Sequence, residues 1–302
     1  MKMIVPKDIF LREDSNEELL PDREGGFPYQ ALKVDFYNYN RTFVPWHWHK
    51  ALEIFYVKEG FLEYRTPNHV MEFGPGSGGI INSNILHGTS IVEGKPKSVQ
   101  YVHQVLPALL SGADGGKIEQ KYFKPYLNQD CFEILGFYPE KPEHREVLKL
   151  MAESFDMDDI TSGFEIRARY EMSRLWLKMI EKIPKDANAS QPVSNETLLT
   201  IMRYIYRHYH EKIYVKNLAD AAYISERECY RLFAEHLNMS PGEYIQSYRI
   251  QAACNLLIST KKSVTDIGQS CGLGSSSYFG KIFREKMGVT PVEYRRIHRR
   301  MM

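Results

Sequence analysis

The sequence predicts an α+β protein built from two parts, an antiparallel β-barrel with appended helices and a smaller all-α domain. Three observations carry this prediction: short apolar runs divided by turn residues in the first half, a repeat in the second half, and opposite charge in the two halves. The length agrees, because 302 residues are enough for two domains of ordinary size, each with its own core.

Composition excludes several classes of protein. Charged residues make up 25% of the chain and hydrophobic residues 43%, which is the balance of a folded protein rather than a disordered or collagen-like one. No apolar run approaches the length of a membrane span, and residues 1–8 turn charged at once. The four cysteines form no Cys-x-x-Cys pair, as expected of reduced thiols. We therefore expect a cytoplasmic protein that is neither exported nor bound to a membrane.

A loop-like stretch at residues 184–193 divides the chain into halves of opposite charge. Residues 1–193 carry 23 Lys+Arg and 28 Asp+Glu, a net charge of −5, whereas residues 194–302 carry 16 and 10, a net charge of +6. A small basic domain favours a polyanionic partner. We therefore predict one domain at 1–183, a linker at 184–193 and a second domain at 194–302.

The basic half repeats itself at an offset of 50 residues. Segment 233–244 (FAEHLNMSPGEY) matches segment 283–294 (FREKMGVTPVEY). Each copy predicts the end of one helix, a turn at Asn238 or Gly288, and a second helix that Ser240 or Thr290 caps. Proline begins this second helix and glutamate occupies its third position, as in a capping box. Duplicated helix ends indicate a duplicated module.

An amphipathic helix precedes each of these ends. Its apolar positions correspond in the two copies, with Cys229, Leu232, Phe233 and Leu237 in the first and Phe279, Ile282, Phe283 and Met287 in the second. A short helix and a tight turn come before it, and a small residue, Ala219 or Gly268, lets the paired helices approach closely. This pattern is typical of a helix-turn-helix, and the chain carries it twice.

Five segments of the second unit form a recognisable signature: 263–268 (SVTDIG), 271–273 (CGL), 277–279 (SYF), 281–284 (KIFR) and 288–296 (GVTPVEYRR). They resemble the signature of the AraC/XylS family of bacterial transcription regulators, and the match covers about the last hundred residues. The resemblance implies a seven-helix domain in which a long helix, Pro241 to about Ile258, joins the two units. Their recognition helices would then enter successive major grooves of double-stranded DNA, roughly 34 Å apart.

Outward-facing residues of the two recognition helices are the candidate DNA contacts. In the first helix these are Arg227, Tyr230 and Arg231, at positions that contact bases in the family. Arginine can hold guanine through two hydrogen bonds, and tyrosine can meet a thymine methyl or a phosphate. In the second helix they are Ser276, Ser277, Gly280 and Lys281. We expect the first helix to read bases and the second to hold the backbone through Lys281 and hydroxyl groups.

The acidic half predicts an antiparallel sandwich or barrel of short strands. Apolar runs at 51–58, 61–65, 70–73 and 79–82 are separated by turns at intervals of about eight to ten residues. Among them stands His47-x-His49, then three residues, Glu53, six residues and Gly60, with His87 later in the chain. This spacing resembles the first cupin motif, and the later histidine resembles the second. The resemblance implies a cupin-like antiparallel β-barrel.

Three histidines and a glutamate are the candidate effector or metal site. A straight strand would carry Glu53 about 13 Å beyond His49, so a shared site requires the chain to reverse through residues 50–52. His87 must then come from another strand. Three imidazoles and a carboxylate suit a divalent transition metal. Two interpretations stay open: the residues His47, His49, Glu53 and His87 hold a metal, or they line a pocket that binds an organic effector and requires no cofactor.

Two helical stretches follow the predicted barrel, at 144–155 and 164–183. The second carries apolar residues over a wide face: Ile166, Tyr170, Leu175, Trp176, Met179, Ile180 and Ile183. Such a face can cover the barrel on one side and a twin helix on the other. By resemblance to the family, this segment forms a homodimer.

These observations predict a sequence-specific, DNA-binding transcription regulator. A DNA-binding module in the same chain favours a sensor over a catalyst, so we expect no enzymatic activity. The family resemblance implies a small-molecule effector, most often a carbohydrate. The alternative is a metal-dependent cupin enzyme, an oxygenase or isomerase, fused to a DNA-binding module.

Overall fold

The computed structural model describes residues 3–9, 11–12, 17–18, 26–39, 42–127, 131–157, 162–183, 195–237 and 239–299. They form two compact units, the first ending at Asn195 and the second continuing from Glu196. The predicted linker at 184–193, the predicted start of the second domain at Ser194 and the predicted turn residue Asn238 lie outside the described residues. The roles assigned to domains 1–183 and 194–302 stay predictions.

The described part of the first unit contains nine antiparallel strands in two sheets. The strands are β1 (Tyr29–Asp35), β2 (Phe43–His47), β3 (Leu52–Glu59), β4 (Leu62–Arg65), β5 (Val70–Phe73), β6 (Gly78–Ile81), β7 (His87–Ile91), β8 (Val99–Val105) and β9 (Ile134–Phe137). One sheet has the order β1-β8-β3-β6-β9 and the other has the order β2-β7-β4-β5. The predicted antiparallel fold class is confirmed. Within the described residues no strand of one sheet pairs with a strand of the other, so the two sheets do not close into a continuous barrel.

The five-stranded sheet is buried on both faces, which explains its apolar runs. Alternate residues such as Phe55 and Val57 meet Leu62 and Phe73 of the opposing sheet. Residues on its other face, Ile54 among them, pack against helices of the same unit. Strands β3 to β6 occupy the predicted runs within a residue or two. Strands β1, β2, β7, β8 and β9 lie outside the predicted runs. The positions of β1 and β9 depend on pairing with the distant strands β8 and β6.

Helices of the first unit follow β8. They are α1 (Pro107–Ser111), α2 (Lys117–Tyr122), α3 (Lys124–Leu127), a 3-10 turn (Pro142–His144), α4 (Arg145–Ser154) and α5 (Phe164–Ile180). The wide apolar face of α5 consists of two parts, one buried and one exposed. Leu175 and Met179 are buried in the core beside the sheet, whereas Ile166 and Tyr170 are 77% and 61% exposed.

The described second unit consists of seven helices, as predicted. They are α6 (Asn195–His208), α7 (Val215–Ala221), α8 (Glu226–Leu237), α9 (Pro241–Ser259), α10 (Val264–Ser270), α11 (Ser276–Met287) and α12 (Pro291–Arg299). Both predicted capping boxes form: the Glu243 amide donates to the Ser240 hydroxyl at 3.2 Å, and the Glu293 amide donates to that of Thr290 at 3.3 Å. Among the residues described in the two units, no helix has both the length and the hydropathy of a membrane-spanning segment.

Candidate functional site

Two helix-turn-helix units share the hydrogen bond that follows their first helix, although the second turn is one residue longer. In the first, the Ile224 amide donates to the Ala219 carbonyl at 3.0 Å, and in the second the Leu273 amide donates to the Gly268 carbonyl at 2.9 Å. The residue before this amide has a positive φ in both, 56° in the first turn and 66° at Gly272. The first helices, α7 and α10, each have 7 residues, and the recognition helices, α8 and α11, each have 12. The sequence repeat is therefore a structural repeat.

The recognition helices bury the predicted stripes and expose the opposite faces. Cys229, Leu232, Phe233 and Leu237 are buried in α8, as are Phe279, Ile282 and Phe283 in α11, whereas Met287 is half-buried. Serine caps each helix, since the Glu228 amide donates to the Ser225 hydroxyl and the Tyr278 amide donates to that of Ser275. The predicted DNA contacts Arg227, Tyr230, Arg231, Ser276, Ser277 and Lys281 are all exposed, and Gly280 is half-buried. Their contact with DNA stays a prediction.

Arg231 is held between two glutamates of its own helix. Its Nε donates to Glu228 at 2.8 Å, a second nitrogen also bonds to Glu228, and a third bonds to Glu235. Hydrogen bonding to Glu228 raises the pKa of Arg231 and lowers that of Glu228. The guanidinium thus has a fixed orientation, but its charge is locally neutralised. The sequence analysis missed this pairing, although glutamates three residues before and four residues after an arginine are a recognisable helical signal.

The structure brings the three histidines and Glu53 of the first unit together. His47 lies directly opposite His87 in the β2–β7 register, with ring centroids 4.2 Å apart. The chain then turns between His49 and β3, which belongs to the other sheet and carries Glu53. Because of this reversal, Glu53 Oε2 lies 3.2 Å from His49 Nε2 and 3.6 Å from His87 Nε2. All four side chains are buried between the sheets.

Backbone carbonyls fix which nitrogen of each imidazole faces the cluster. His47 Nδ1 donates to the Pro45 carbonyl at 2.7 Å, His49 Nδ1 to that of Ala51 at 3.0 Å, and His87 Nδ1 to that of Ile85 at 2.9 Å. A carbonyl only accepts, so each Nδ1 carries a proton and each Nε2 is left to face inward. This is the second-sphere arrangement that orients histidine ligands toward a metal.

The electrostatics of the cluster are strongly coupled. Burial, with the neighbouring His87 and His49, holds the pKa of His47 well below its usual range. Burial alone would raise the pKa of Glu53 and lower that of His49, but their mutual hydrogen bond and the neighbouring charged groups together reverse both directions. Each group of this pair therefore favours the charged form of the other.

The donor set fits a divalent transition metal. One ligand atom from each of His47, His49, Glu53 and His87 can be chosen so that all four lie within 4.8 Å of one another. Two donors on one ion lie at most about 4.2 Å apart, so a small adjustment of side chains suffices to hold a single ion. Bound there, such an ion would supply a positive charge beside the Glu53 carboxylate.

Several polar residues near this cluster were missed by the sequence analysis. Glu18 Oε2 lies 3.8 Å from His49 Nε2. The side-chain amide of Gln104 donates a hydrogen bond to this Glu18 oxygen at 2.7 Å. Burial raises the pKa of Glu18, although the charge of His49 opposes this. From the opposing sheet, the Tyr64 hydroxyl donates to Gln100 at 2.8 Å. A sequence signal for this polar surrounding was present in β8, where Gln100 and Gln104 lie on one face of an otherwise apolar strand.

Comparison with known proteins agrees with the geometry of the second unit. Residues 218–297 match the family model described as "Helix-turn-helix domain". The chain is 24% identical to the uncharacterized HTH-type transcriptional regulator YdeC of Bacillus subtilis (strain 168), over 96% of this chain and 99% of that protein. It is 32% identical to the HTH-type transcriptional activator RhaS of Enterobacter sp. (strain 638), over 56% of this chain and 66% of that protein. It is 25% identical to the lactose operon transcription activator of Staphylococcus xylosus, over 55% of this chain and 59% of that protein.

Paired helix-turn-helix units and these relatives define a DNA-binding transcription regulator. The chain belongs to the AraC/XylS family of transcriptional regulators. The prediction of a regulator rather than an enzyme is confirmed by the names of the relatives.

Proposed function

We propose that this regulator works in the cytoplasm and responds to a small polar effector of the carbohydrate class, which acts at the buried cluster of the first unit. The observation that carries the proposal is the polarity of the space between the two sheets. His47, His49, Glu53 and His87 are buried there, and Tyr64 and Gln100 join them. Burying so many polar groups is costly unless they bind one another or a ligand, and amide, hydroxyl and carboxylate groups suit a ligand rich in hydroxyls. The name of the lactose operon relative supports this class.

We also propose that a divalent transition metal belongs to this cluster. The support is the tautomer of the three histidines, which places Nε2 of each toward the centre, together with the adjacent carboxylate of Glu53. The ion would be held by His47, His49, Glu53 and His87. It would supply positive charge to which an effector hydroxyl can bind.

A homodimer is the proposed assembly, and the exposed stripe of α5 is its proposed seam. Ile166, Tyr170 and Leu177 lie on one helical face and are 77%, 61% and 45% exposed. Leu177→Glu should therefore give a folded monomer in light scattering. The matched control, Leu175→Glu, places the same charge at a fully buried position and should lower thermal stability instead. Equal assembly of the wild type and the Leu177 variant would contradict this seam.

The effector proposal is tested by measuring DNA binding of the full chain with a panel of sugars. Fluorescence anisotropy on a duplex from the upstream region of the coding sequence should show an affinity that one sugar shifts, and that sugar should be recovered unchanged. His49→Ala should keep DNA binding and lose the shift. Conversion of the sugar into a product would instead favour the metal-dependent cupin enzyme, and a normal shift in the His49 variant would exclude the cluster as the effector site.

A further inference from the structure

Glu18 reaches the buried cluster from outside the histidine motif. Its backbone amide donates to the Trp48 carbonyl at 2.8 Å, and Glu17 forms a parallel bridge with Trp48. Trp48 stands between His47 and His49 in the sequence, so this pairing places Glu18 alongside both histidines. Its side chain is only 12% exposed.

Two glutamines hold the Glu18 carboxylate in position. Gln104 of β8 donates to Glu18 Oε2 at 2.7 Å, and Gln30 of β1 donates in turn to Gln104. The same Oε2 lies 3.9 Å from His47 Nε2 and 3.8 Å from His49 Nε2. Because both glutamines are buried on neighbouring strands, the carboxylate is directed at the histidines rather than at solvent.

His87 provides an independent indication that something is bound at this point. Its Nε2 is buried and has no hydrogen-bond partner among the described residues, although its Nδ1 is bonded to the Ile85 carbonyl. A buried lone pair without a donor is costly.

We infer that Glu18 is a fifth donor to a divalent transition metal, alongside His47, His49, Glu53 and His87. The inference rests on the metal part of the proposed function. Donors about 2.1 Å from one ion lie at most about 4.2 Å apart, and the distances from Glu18 Oε2 to His47 Nε2 and to His49 Nε2 fall inside this limit. Glu18 lies outside the set of ligand atoms that are all within 4.8 Å of one another, so its carboxylate has to move closer to the rest of the cluster when an ion binds. Metal binding at the Glu18 side chain then adds to the backbone hydrogen bond that already holds Glu18 against Trp48.

Cobalt(II) bound to the full-length protein tests the inference, because its visible absorption is weaker in five-coordinate than in four-coordinate sites. The wild type should bind about one equivalent with weak five-coordinate bands. Glu18→Gln should strengthen the bands and weaken Co²⁺ affinity on the order of tenfold or more. The control Glu17→Gln removes a neighbouring carboxylate that instead meets Arg12, at 3.6 Å, and should leave both quantities unchanged.

A second measurement on the wild type decides the question even if the Glu18 variant fails to fold. Hydrogen exchange at the peptide containing Glu17 and Glu18 should slow when Co²⁺ is added. A wild-type spectrum of four-coordinate type, with exchange that Co²⁺ leaves unchanged, would overturn the role of Glu18 and leave the four-residue site intact. No Co²⁺ binding by the wild type would overturn both metal proposals, while DNA binding and its response to a sugar would remain separately measurable.

Discussion

The two helix-turn-helix units have a similar backbone but differ in the residue at the turn and in what surrounds it. Both turns use a residue of positive φ, yet Tyr223 occupies it in the first unit and Gly272 in the second. Tyr223 is 97% exposed, whereas a Cβ on Gly272 would lie 2.6 Å from the Tyr209 carbonyl oxygen. The second turn therefore requires glycine for space as well as for φ, and the first tolerates a large side chain because it faces solvent.

The outer faces of the recognition helices differ in charge. Helix α8 carries three glutamates with its two arginines, and Arg231 is clamped by Glu228 and Glu235. Helix α11 carries three basic residues and one glutamate. An oriented guanidinium suits recognition of a base, whereas excess positive charge suits attraction to phosphate. The comparison supports a division of labour in which α8 selects the sequence and α11 holds the backbone.

Removing Arg231 should have the largest effect on this division. On a duplex selected from a random pool, we expect Arg231→Ala to weaken binding on the order of 10- to 100-fold and to relax the preference at one base. Lys281→Ala should instead weaken selected and scrambled duplexes alike and lower the salt dependence. Parallel titrations of both variants on both duplexes check this. Identical losses on the two duplexes for both variants would remove the division.

The helix packing in the second helix-turn-helix unit should tolerate a larger side chain less well than the packing in the first. A Cβ on Gly268 would lie 2.9 Å from Cδ1 of the fully buried Phe279, whereas the equivalent pair in the first unit is Ala219 and Cys229. We expect Gly268→Ala to lower stability by about 1–3 kcal/mol. This cost should shrink in a Phe279→Leu background, as measured by denaturation in a double-mutant cycle. A cost that is the same in both backgrounds would show that the two positions are not coupled.

The turn residues give a further matched pair. Gly272→Ala should lower the unfolding free energy by about 1–3 kcal/mol, because the methyl group meets the Tyr209 carbonyl and the φ of 66° strains alanine. Tyr223→Gly should change it by less than about 1 kcal/mol, since relief of strain is offset by the freedom of the unfolded glycine. Thermal melts of the two variants provide the test. Equal destabilisation by both changes would contradict the proposed difference between the turns.

The glutamate clamp should produce the smallest effect. Glu228→Gln and Glu235→Gln each remove a negative charge near DNA, so both should tighten binding to scrambled duplex by a few-fold at low salt. Glu228 makes two bonds to Arg231 and Glu235 makes one, so Glu228→Gln should lose more discrimination between selected and scrambled duplexes. Equal discrimination by both variants would show that the clamp does not orient the arginine.

Local patterns predicted the parts of the fold that local forces determine. The repeat and its capping residues, Ser240 and Thr290, predicted the two helix-turn-helix units, because caps and apolar stripes act within a few residues. The apolar runs predicted strands β3 to β6 for the same reason, since strand formation follows the local residue pattern. The number of seven helices followed from the family resemblance. The pairing of strands within each sheet was not predicted, because partners such as β1 and β8 are far apart in sequence and their own residues do not identify the partner.

The same limit applies to the candidate sites: local spacing predicted some of their residues, and contacts between distant residues were not predicted. The spacing of His47, His49 and Glu53 indicated a cluster, and the structure added how the backbone reverses to form it. Glu18 and Gln104 could not be inferred, because their bond joins residues 86 positions apart and depends on the Trp48 pairing. The clamp on Arg231 was legible in the sequence as helical spacing, but its effect on the charge of the recognition face required the contacts.

Chemical interference on a selected duplex tests the division of labour most directly. Methylation of guanine blocks contacts to a base in the major groove, and ethylation of phosphate blocks contacts to the backbone. With the full-length protein, we predict strong base interference in one major-groove segment only, and phosphate interference there and again about one helical turn away. Base interference of equal strength in both segments would contradict the account, because α11 would then read sequence as α8 does.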